Sequence, residues 1–283
     1  MRVIITGAGG NLGGKLIEHL QAADWCSSII GIDPRPLTSQ GKFRAIEADL
    51  RDARDSRWIE PVESADAVVH FAAQNTAPDS NWTEAALSSD MTLNLLEHVG
   101  HAPCRFVFAS SNHVMGGYKD APLAAGDKLS AATPPRPGTR FFDGNVFQHP
   151  SAYGSSKLYG ERAVIARVLG SGGQMSGVNI RIGWVQPGEN IPASIGPHGG
   201  GRRVGNIETD ADELARALPW YRGMWLSNRD FLQLMERALT TSAADWPAPA
   251  ITVCGVSNNT GTMWNLAEGR DLLGYAPQDD VTR

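Results

Sequence analysis

The sequence predicts an α/β protein built on a doubly wound parallel sheet, with a small C-terminal region added to it. Two patterns and the chain length carry this. Short β-branched runs alternate with amphipathic stretches through residues 2–110. A glycine-rich turn stands directly between the first strand and the first helix, the arrangement of a Rossmann-type sheet. The chain has 283 residues, enough for one large α/β domain with an appendage.

RVIIT (2–6) reads as a strand, because a continuous apolar, β-branched run suits a strand buried on both faces. NLGGKLIEHLQ (11–21) reads as a helix. SIIGID (28–33), FRAIEAD (43–49) and DAVVHFAA (66–73) read as further strands. TEAALSSDMTLNLLEHV (83–99) carries apolar residues at helical spacing, and RFVFAS (105–110) is the fifth strand. SAYGSSKLYGERAVIARVL (151–169) reads as a helix and VNIRIGW (178–184) as a strand. FLQLMERAL (231–239) and ITVCGV (251–256) are a late helix and strand. The nucleotide-binding core is expected over 1–182, completed by about 229–256, with 183–228 and 257–283 forming a substrate-binding region. Residues 117–150 and 186–210 are rich in Pro, Gly and polar residues without a clear period, as loops that serve a site often are. The glycines of 186–205, including GPHGGGRR (196–203), predict a segment that orders when substrate binds.

Hydrophobic residues make up 42% of the chain and charged ones 19%, so a folded core is expected rather than disorder. The net charge of −5 disfavours a bulk-electrostatic nucleic-acid binder. MRVIITGAGG lacks the apolar run of a signal peptide, and no stretch approaches the roughly 20 apolar residues that span a bilayer. Cys26, Cys104 and Cys254 are odd in number and widely spaced, which suits a reducing compartment. The expectation is a cytoplasmic protein with neither nucleic acid nor membrane as partner. No metal site is expected either. His98 and His101 share a helical face but lack Cys or carboxylate partners at ligand spacing.

TGAGGNLGG (6–14) places Gly7, Gly10 and Gly13 after a strand and at the start of a helix. Glycine lets the backbone turn sharply and approach a pyrophosphate, to which the helix presents free N–H groups and a partial positive charge. Asp33 ends the second strand, where a carboxylate would bind the adenosine ribose and favour NAD over NADP. Arg35 lies close enough to oppose that preference. The plainer reading of Asp33 alone is a turn aspartate before Pro34. Tyr153 and Lys157 stand four residues apart in YGSSK and share a helix face. A lysine near a tyrosine hydroxyl favours the phenolate, which prepares it to exchange a proton with a substrate alcohol. SSNHVMG (110–116) sets hydroxyls, an amide and an imidazole at the end of a strand, where a site wants them and a core does not.

Together these motifs resemble the extended branch of the short-chain dehydrogenase/reductase superfamily, over nearly the whole chain. TGAGGNLG is similar to its glycine motif, HFAA (70–73) to the segment passing the nicotinamide ribose, YGSSK to its catalytic motif and RIGW (181–184) to the strand after it. The resemblance implies catalysis by Ser111, Tyr153 and Lys157, with Ser110 as the alternative serine. It implies cofactor contacts from Gly7, Gly10, Asn11, Leu12, Gly13, Asp33, Asp49, Leu50, Phe71, Ala72, Ala73 and Lys157. Within the branch, SSNH, YRGMWLSNRDFLQLMERAL (221–239) and the tail 255–280 resemble uronate dehydrogenases. That implies NAD-dependent oxidation of carbon 1 of an acidic aldose to the lactone, with Tyr153 as base. The sugar acid would meet Asn75, Ser111, Asn112, His113 and Tyr153, with Arg222 on its carboxylate. It also implies a homo-oligomer. The alternatives are a sugar-nucleotide epimerase, dehydratase or reductase, or a non-catalytic NAD-sensing protein. Three features depart from the pattern: longer loops at 117–150 and 186–220, a different spacing from Arg222 to Trp225, and Ser88 in place of a common asparagine. Trp184, Trp220 and Trp225 are either core or walls of a sugar pocket.

Overall fold

The computed structural model describes residues 1–76, 79–142, 146–196 and 211–283. In chain order the first half contains β1 (Arg2–Thr6), α1 (Asn11–Gln21), β2 (Ser28–Asp33), β3 (Phe43–Glu47), α2 (Ser56–Glu63), β4 (Ala67–His70), α3 (Trp82–His98) and β5 (Cys104–Ala109). A 3₁₀ turn follows at Asn112–Lys119, then a hairpin of β6 (Phe141–Phe142) and β7 (Phe147–Gln148). The second half adds α4 (Ala152–Leu169), β8 (Met175–Ile182), α5 (Ala211–Gly223), α6 (Asn228–Thr240), β9 (Ala250–Gly255) and α7 (Ala267–Leu273).

Seven strands form one parallel sheet in the order β3-β2-β1-β4-β5-β8-β9. The chain runs outward from β1 to β3, then returns to the other side of β1 with β4. That reversal opens a crevice at the carboxyl ends of β1 and β4, where ligands bind in sheets of this kind. The central strands are buried on both faces, and alternate residues feed two cores. Val3 and Ile5 face Leu16 and Leu20 of α1 and Phe231 and Leu234 of α6. Ile4, Val68 and Phe106 face Trp58 of α2, Leu95 of α3 and Val164 of α4.

Caps set where the helices begin. Asn81 Oδ1 accepts the Glu84 N–H at 2.9 Å, and Glu84 Oε2 accepts the Asn81 N–H at 3.0 Å, a reciprocal box that starts α3. α6 starts at Ser227, whose Oγ accepts the Asp230 N–H at 3.0 Å. Asp230 in turn accepts the N–H groups of Gln278 and Asp279 at 2.9 and 3.0 Å, which ties down the C-terminal tail. Asn259 and Thr262 of that tail hold the carbonyls of Gly223 and Trp225, so residues 257–283 brace the end of α5. The eleven elements read from the sequence are all present, with ends shifted by a few residues at most. α2, α5, α7 and the β6–β7 pair were not expected. α2 and α5 each contain a proline, Pro61 and Pro219, which interrupts the sequence pattern without ending the helix. Of the predicted ordering segment 186–205, residues 197–205 lie outside the described residues. Among the described residues, no helix is long and apolar enough to cross a membrane.

α4 lies directly on β5 because Gly160 has no side chain. A Cβ there would enter the ring of Phe108. Gly160→Ala is expected to cost roughly 1–3 kcal/mol of stability, the usual penalty for overpacking. Urea unfolding checks this, and an unchanged midpoint would mean that α4 stands off the strand.

Candidate active site

A cavity of about 770 Å³ crosses the carboxyl ends of the strands from Asp33 at one end to Tyr221 at the other. Its floor is the glycine turn. Gly7 has φ +66°, and a Cβ there would lie 2.9 Å from the Ala72 nitrogen, so only glycine lets the turn pass the end of β4. Gly10 is the N-cap of α1 and no side chain caps that helix. The first-turn N–H groups are therefore free for an anion, and Asn11, Leu12 and Gly13 line the cavity. Asn11 Nδ2 donates to the Val185 carbonyl at 2.9 Å and ties the turn to the segment after β8.

Asp33 is almost fully buried at the end of β2. Its Oδ2 accepts the Gly9 N–H at 2.9 Å, and its Oδ1 accepts Arg35 Nε at 2.8 Å. Burial opposes its ionisation, but the bonds from Arg35 and Gly9 outweigh burial and hold the carboxyl below its ordinary range. Asp49, paired with Arg51, and Leu50 continue this end of the cavity, while Phe71, Ala72 and Ala73 form its middle. An uncapped helix start, a turn that tolerates no Cβ and a buried carboxylate at the next strand end together fit the pyrophosphate and ribose of a dinucleotide.

The other end is built by β5 and α4. Ser110 and Ser111 follow the end of β5. Ser110 lines the cavity, but its Oγ is engaged, donating to Glu161 Oε1 at 2.6 Å. Ser111 lines the cavity too, and its Oγ accepts the His113 N–H at 3.1 Å. The Ser110 hydroxyl is thus committed to a buried carboxylate, whereas the bond at Ser111 Oγ comes from a backbone N–H. Tyr153 and Lys157 face the same way from α4 and are 8% and 4% exposed. Lys157 Nζ donates to the Ala109 carbonyl at 2.8 Å and lies 4.9 Å from the Phe108 ring centroid and 5.8 Å from that of Tyr153. Burial pushes Lys157 down to about 8. Burial also pushes Tyr153 up to about 12, with the Ser111 hydroxyl opposing.

His113 Nδ1 meets Thr139 Oγ1 at 2.6 Å, and its ring stands edge-on to Tyr153 with centroids 5.7 Å apart. Its surroundings lower its pKa to about 4 by desolvation, so the ring is neutral near pH 7. Asn112 Nδ2 donates to the Ile182 carbonyl at 3.1 Å. Its Oδ1 is buried without a hydrogen-bond partner and the residue lines the cavity, which leaves an acceptor for a ligand donor.

Two expected residues are not brought to the cavity. Asn75 Nδ2 donates to Glu84 Oε2 at 3.1 Å in the cap of α3, while its neighbours Gln74 and Thr76 line the cavity. Arg222 is exposed on α5. The helical pitch turns it about 100° from Tyr221, and it is Tyr221 and Met224 that line the site. Ser88 does not line the cavity either. Its Oγ donates to the Glu84 carbonyl and accepts the Gln74 N–H, both at 3.0 Å, and so holds the segment after β4.

The sugar-end walls that were not singled out are Phe141, Tyr221 and Met224. Trp184 joins them as one of the tryptophans weighed from the sequence. Trp220 instead packs on Trp264 in the core, and Trp225 Nε1 donates to Asn190 Oδ1 at 2.9 Å. Behind Tyr221, buried Lys119 donates to Glu213 Oε1 at 2.7 Å, and Arg140 pairs with both Glu213 and Asp120. Among the described residues no group of three His, Cys, Asp or Glu is placed to hold a metal ion.

Comparison with known proteins gives three likenesses. The L-arabinose 1-dehydrogenase (NAD(P)(+)) of Haloferax volcanii is 29% identical over 99% of this chain and 97% of its own length. The uronate dehydrogenase of Pseudomonas putida is 28% identical over 98% of this chain and 84% of its own. The crystal structure of uronate dehydrogenase from Agrobacterium tumefaciens superposes with a TM-score of 0.70 at 24% identity, covering 99% of this chain and 85% of that one, and so shares the fold. Residues 3–185 match the NAD dependent epimerase/dehydratase family, about two thirds of the chain, and the protein belongs to that family.

Proposed function

We propose that the protein is an NAD-dependent sugar dehydrogenase that oxidises carbon 1 of a free aldose, a uronate or similar acidic sugar first, to the lactone. The observation that carries this is the meeting of Ser111, Tyr153 and Lys157 at the end of the cavity opposite Asp33. The relatives named above act on carbon 1 of arabinose or on uronates, which supports a free sugar over a sugar nucleotide.

The C1 hydroxyl lies between Ser111 and Tyr153. Ser111 donates to its oxygen, and Tyr153 takes its proton as the hydrogen on C1 departs with its electron pair. When bound, oxidised NAD supplies the acceptor for that hydride and a positive charge beside the phenol. The charge matters, because burial alone leaves Tyr153 near 12 and the phenolate scarce at neutral pH. Lys157 lies under the ring and adds to the same effect. Neutral His113 and the open Oδ1 of Asn112 are placed to bond sugar hydroxyls. The buried free thiols of Cys26, Cys104 and Cys254 support a reducing, cytoplasmic setting.

A second reading, a neutral aldose, is favoured by the sugar-end walls. Trp184 and Tyr221 lie 5.9 Å apart at 60°, and with Phe141 they offer aromatic faces to a sugar's C–H surface. Arg222, the expected carboxylate partner, is not among the residues lining the cavity.

NADH formation with purified protein is expected for at least one sugar among glucuronate, galacturonate, L-arabinose and glucose 6-phosphate, with NADP run in parallel. No turnover of any free aldose, with NAD copurifying, would favour an epimerase. Tyr153→Phe is expected to lower kcat roughly 100- to 10,000-fold while the NAD dissociation constant stays unchanged; full activity would remove Tyr153 from its role.

The lysine makes a separate prediction for stability. Its pKa falls from an ordinary 10.5 to about 8 in the folded protein. Between those values the unfolded chain holds more protons at this site, so stability from this residue rises with pH. Below about 8 the full cost of burying the charge is present. Lys157→Met should therefore gain on wild type most at pH 7–8, and the difference should shrink by roughly 2 kcal/mol by pH 10. Paired urea melts measure it, and a constant difference would mean that the ammonium is not desolvated.

A further inference from the structure

Tyr153, Lys157 and Glu161 follow one another at intervals of four along α4 and so share one face. The first two belong to the reaction. Glu161 is as deeply buried, at 2% exposed, and the chemistry above does not use it. Its Oε1 accepts Ser110 Oγ at 2.6 Å and Arg181 Nε at 3.0 Å, and its Oε2 accepts Arg181 Nη2 at 3.0 Å. Arg181, on β8 and also 2% exposed, sends Nη1 to the Ser130 carbonyl at 3.1 Å. One buried ion pair thus joins α4, β8, the end of β5 and the loop at Ser130.

We propose that Glu161 is a positioning residue for the oxidation, acting through Ser110. Ser111 follows Ser110 directly, in extended backbone, so a bond that fixes Ser110 on α4 limits where Ser111 sits in the cavity. The Lys157 bond to Ala109 anchors the residue before them. Two successive residues of the strand end are therefore tied to two successive turns of α4, Ala109 to Lys157 and Ser110 to Glu161, and Ser111 follows them into the cavity that Tyr153 also lines. Without the Glu161 bond the strand end keeps its fold, but the Ser111 hydroxyl is free to drift from the tyrosine oxygen. Small misplacements of a reacting group are costly to rate, up to about 100-fold for an ångström.

The inference rests on the proposed C1 oxidation only for its kinetic arm. Ser110→Ala is the principal variant, because it leaves the Glu161–Arg181 pair intact. Hydrogen exchange of the 108–116 backbone, measured on the free protein, should rise in Ser110→Ala, while exchange in α1 and the NAD dissociation constant stay at wild-type values. With the sugar that wild type turns over, kcat should fall roughly 10- to 100-fold with KM within about threefold, and the isotope effect of a C1-deuterated sugar on kcat should increase. Ser110→Thr, which restores a hydroxyl, should recover most of kcat. Unchanged exchange at 108–116 overturns the clamp, whatever the substrate proves to be. Loss of thermal stability with unchanged kcat and isotope effect would make Glu161 purely structural and overturn its part in the reaction. If wild type oxidises no aldose, the functional reading fails, while the exchange arm still decides the clamp.

Discussion

The site depends on one buried ammonium. Lys157 must be kept inside the protein beside a phenol, and burying a charge is expensive unless it is bonded. The Ala109 carbonyl gives it one acceptor, and the face of Phe108 lies beneath it. Its other neighbours are neutral. His70, stacked on Phe108, is pushed down to about 3, first by burial and then by Lys157 itself. An uncharged His70 bonds Thr6 Oγ1 at 2.7 Å and Thr92 Oγ1 at 3.0 Å, and Thr6 Oγ1 accepts the Ala72 N–H at 3.3 Å. Burial, with the lysine adding to it, thus keeps an imidazole neutral, and that imidazole helps fix the strand end that the dinucleotide must pass. The charge is placed for the tyrosine, and the surrounding core is arranged to tolerate it.

The cavity then joins two kinds of construction. At the Asp33 end, every part is local to a βα turn: glycines for close approach, an uncapped helix start and a carboxylate at the next strand end. At the Tyr221 end, the walls come from segments far apart in sequence, and long-range bonds hold them. Asn11 reaches Val185, and Lys15 Nζ reaches the Gly188 carbonyl at 2.7 Å. These contacts tie the cofactor turn to the segment that carries Trp184, so the two ends do not move independently.

That division explains what could be read beforehand. β1, α1, β2 and the glycine turn were legible because period, turn chemistry and spacing are local signals. YGSSK was legible because a helix fixes which residues share a face. The choice between Ser110 and Ser111 has no local signal, because it depends on which hydroxyl a neighbouring helix engages, and Glu161 of α4 engages that of Ser110. The misses lie where tertiary contacts decide. Asn75 and Gln74 are equally polar, and only the cap of α3 draws Asn75 away. Arg222 was placed by resemblance in a segment whose helix was not foreseen, and the pitch of α5 presents the next-door Tyr221 instead. Pro219 hid that helix, and nothing in a linear pattern gives its rotation.

The rotation of α5 bears on which sugars enter. Beside the bonds from the 257–283 tail, it is held by charges on residues that do not line the cavity. Lys119, Arg140 and Arg216 all engage Asp120 and Glu213, so three cations and two carboxylates lock α5 to the 3₁₀ turn and to the loop before β6. A cation committed to such a cluster is not free to read a substrate's acid group, and the cluster delivers an aromatic face where a guanidinium was expected. Substrate choice and catalysis therefore rest on separate supports. The serine, tyrosine and lysine are held by β5, α4 and the Glu161–Arg181 pair, whereas the sugar walls are held by the Asp120–Glu213 cluster. A change in that cluster would rotate or release α5 and alter the sugar end, and the bonds from Lys157 to Ala109 and from Ser110 to Glu161 would stand.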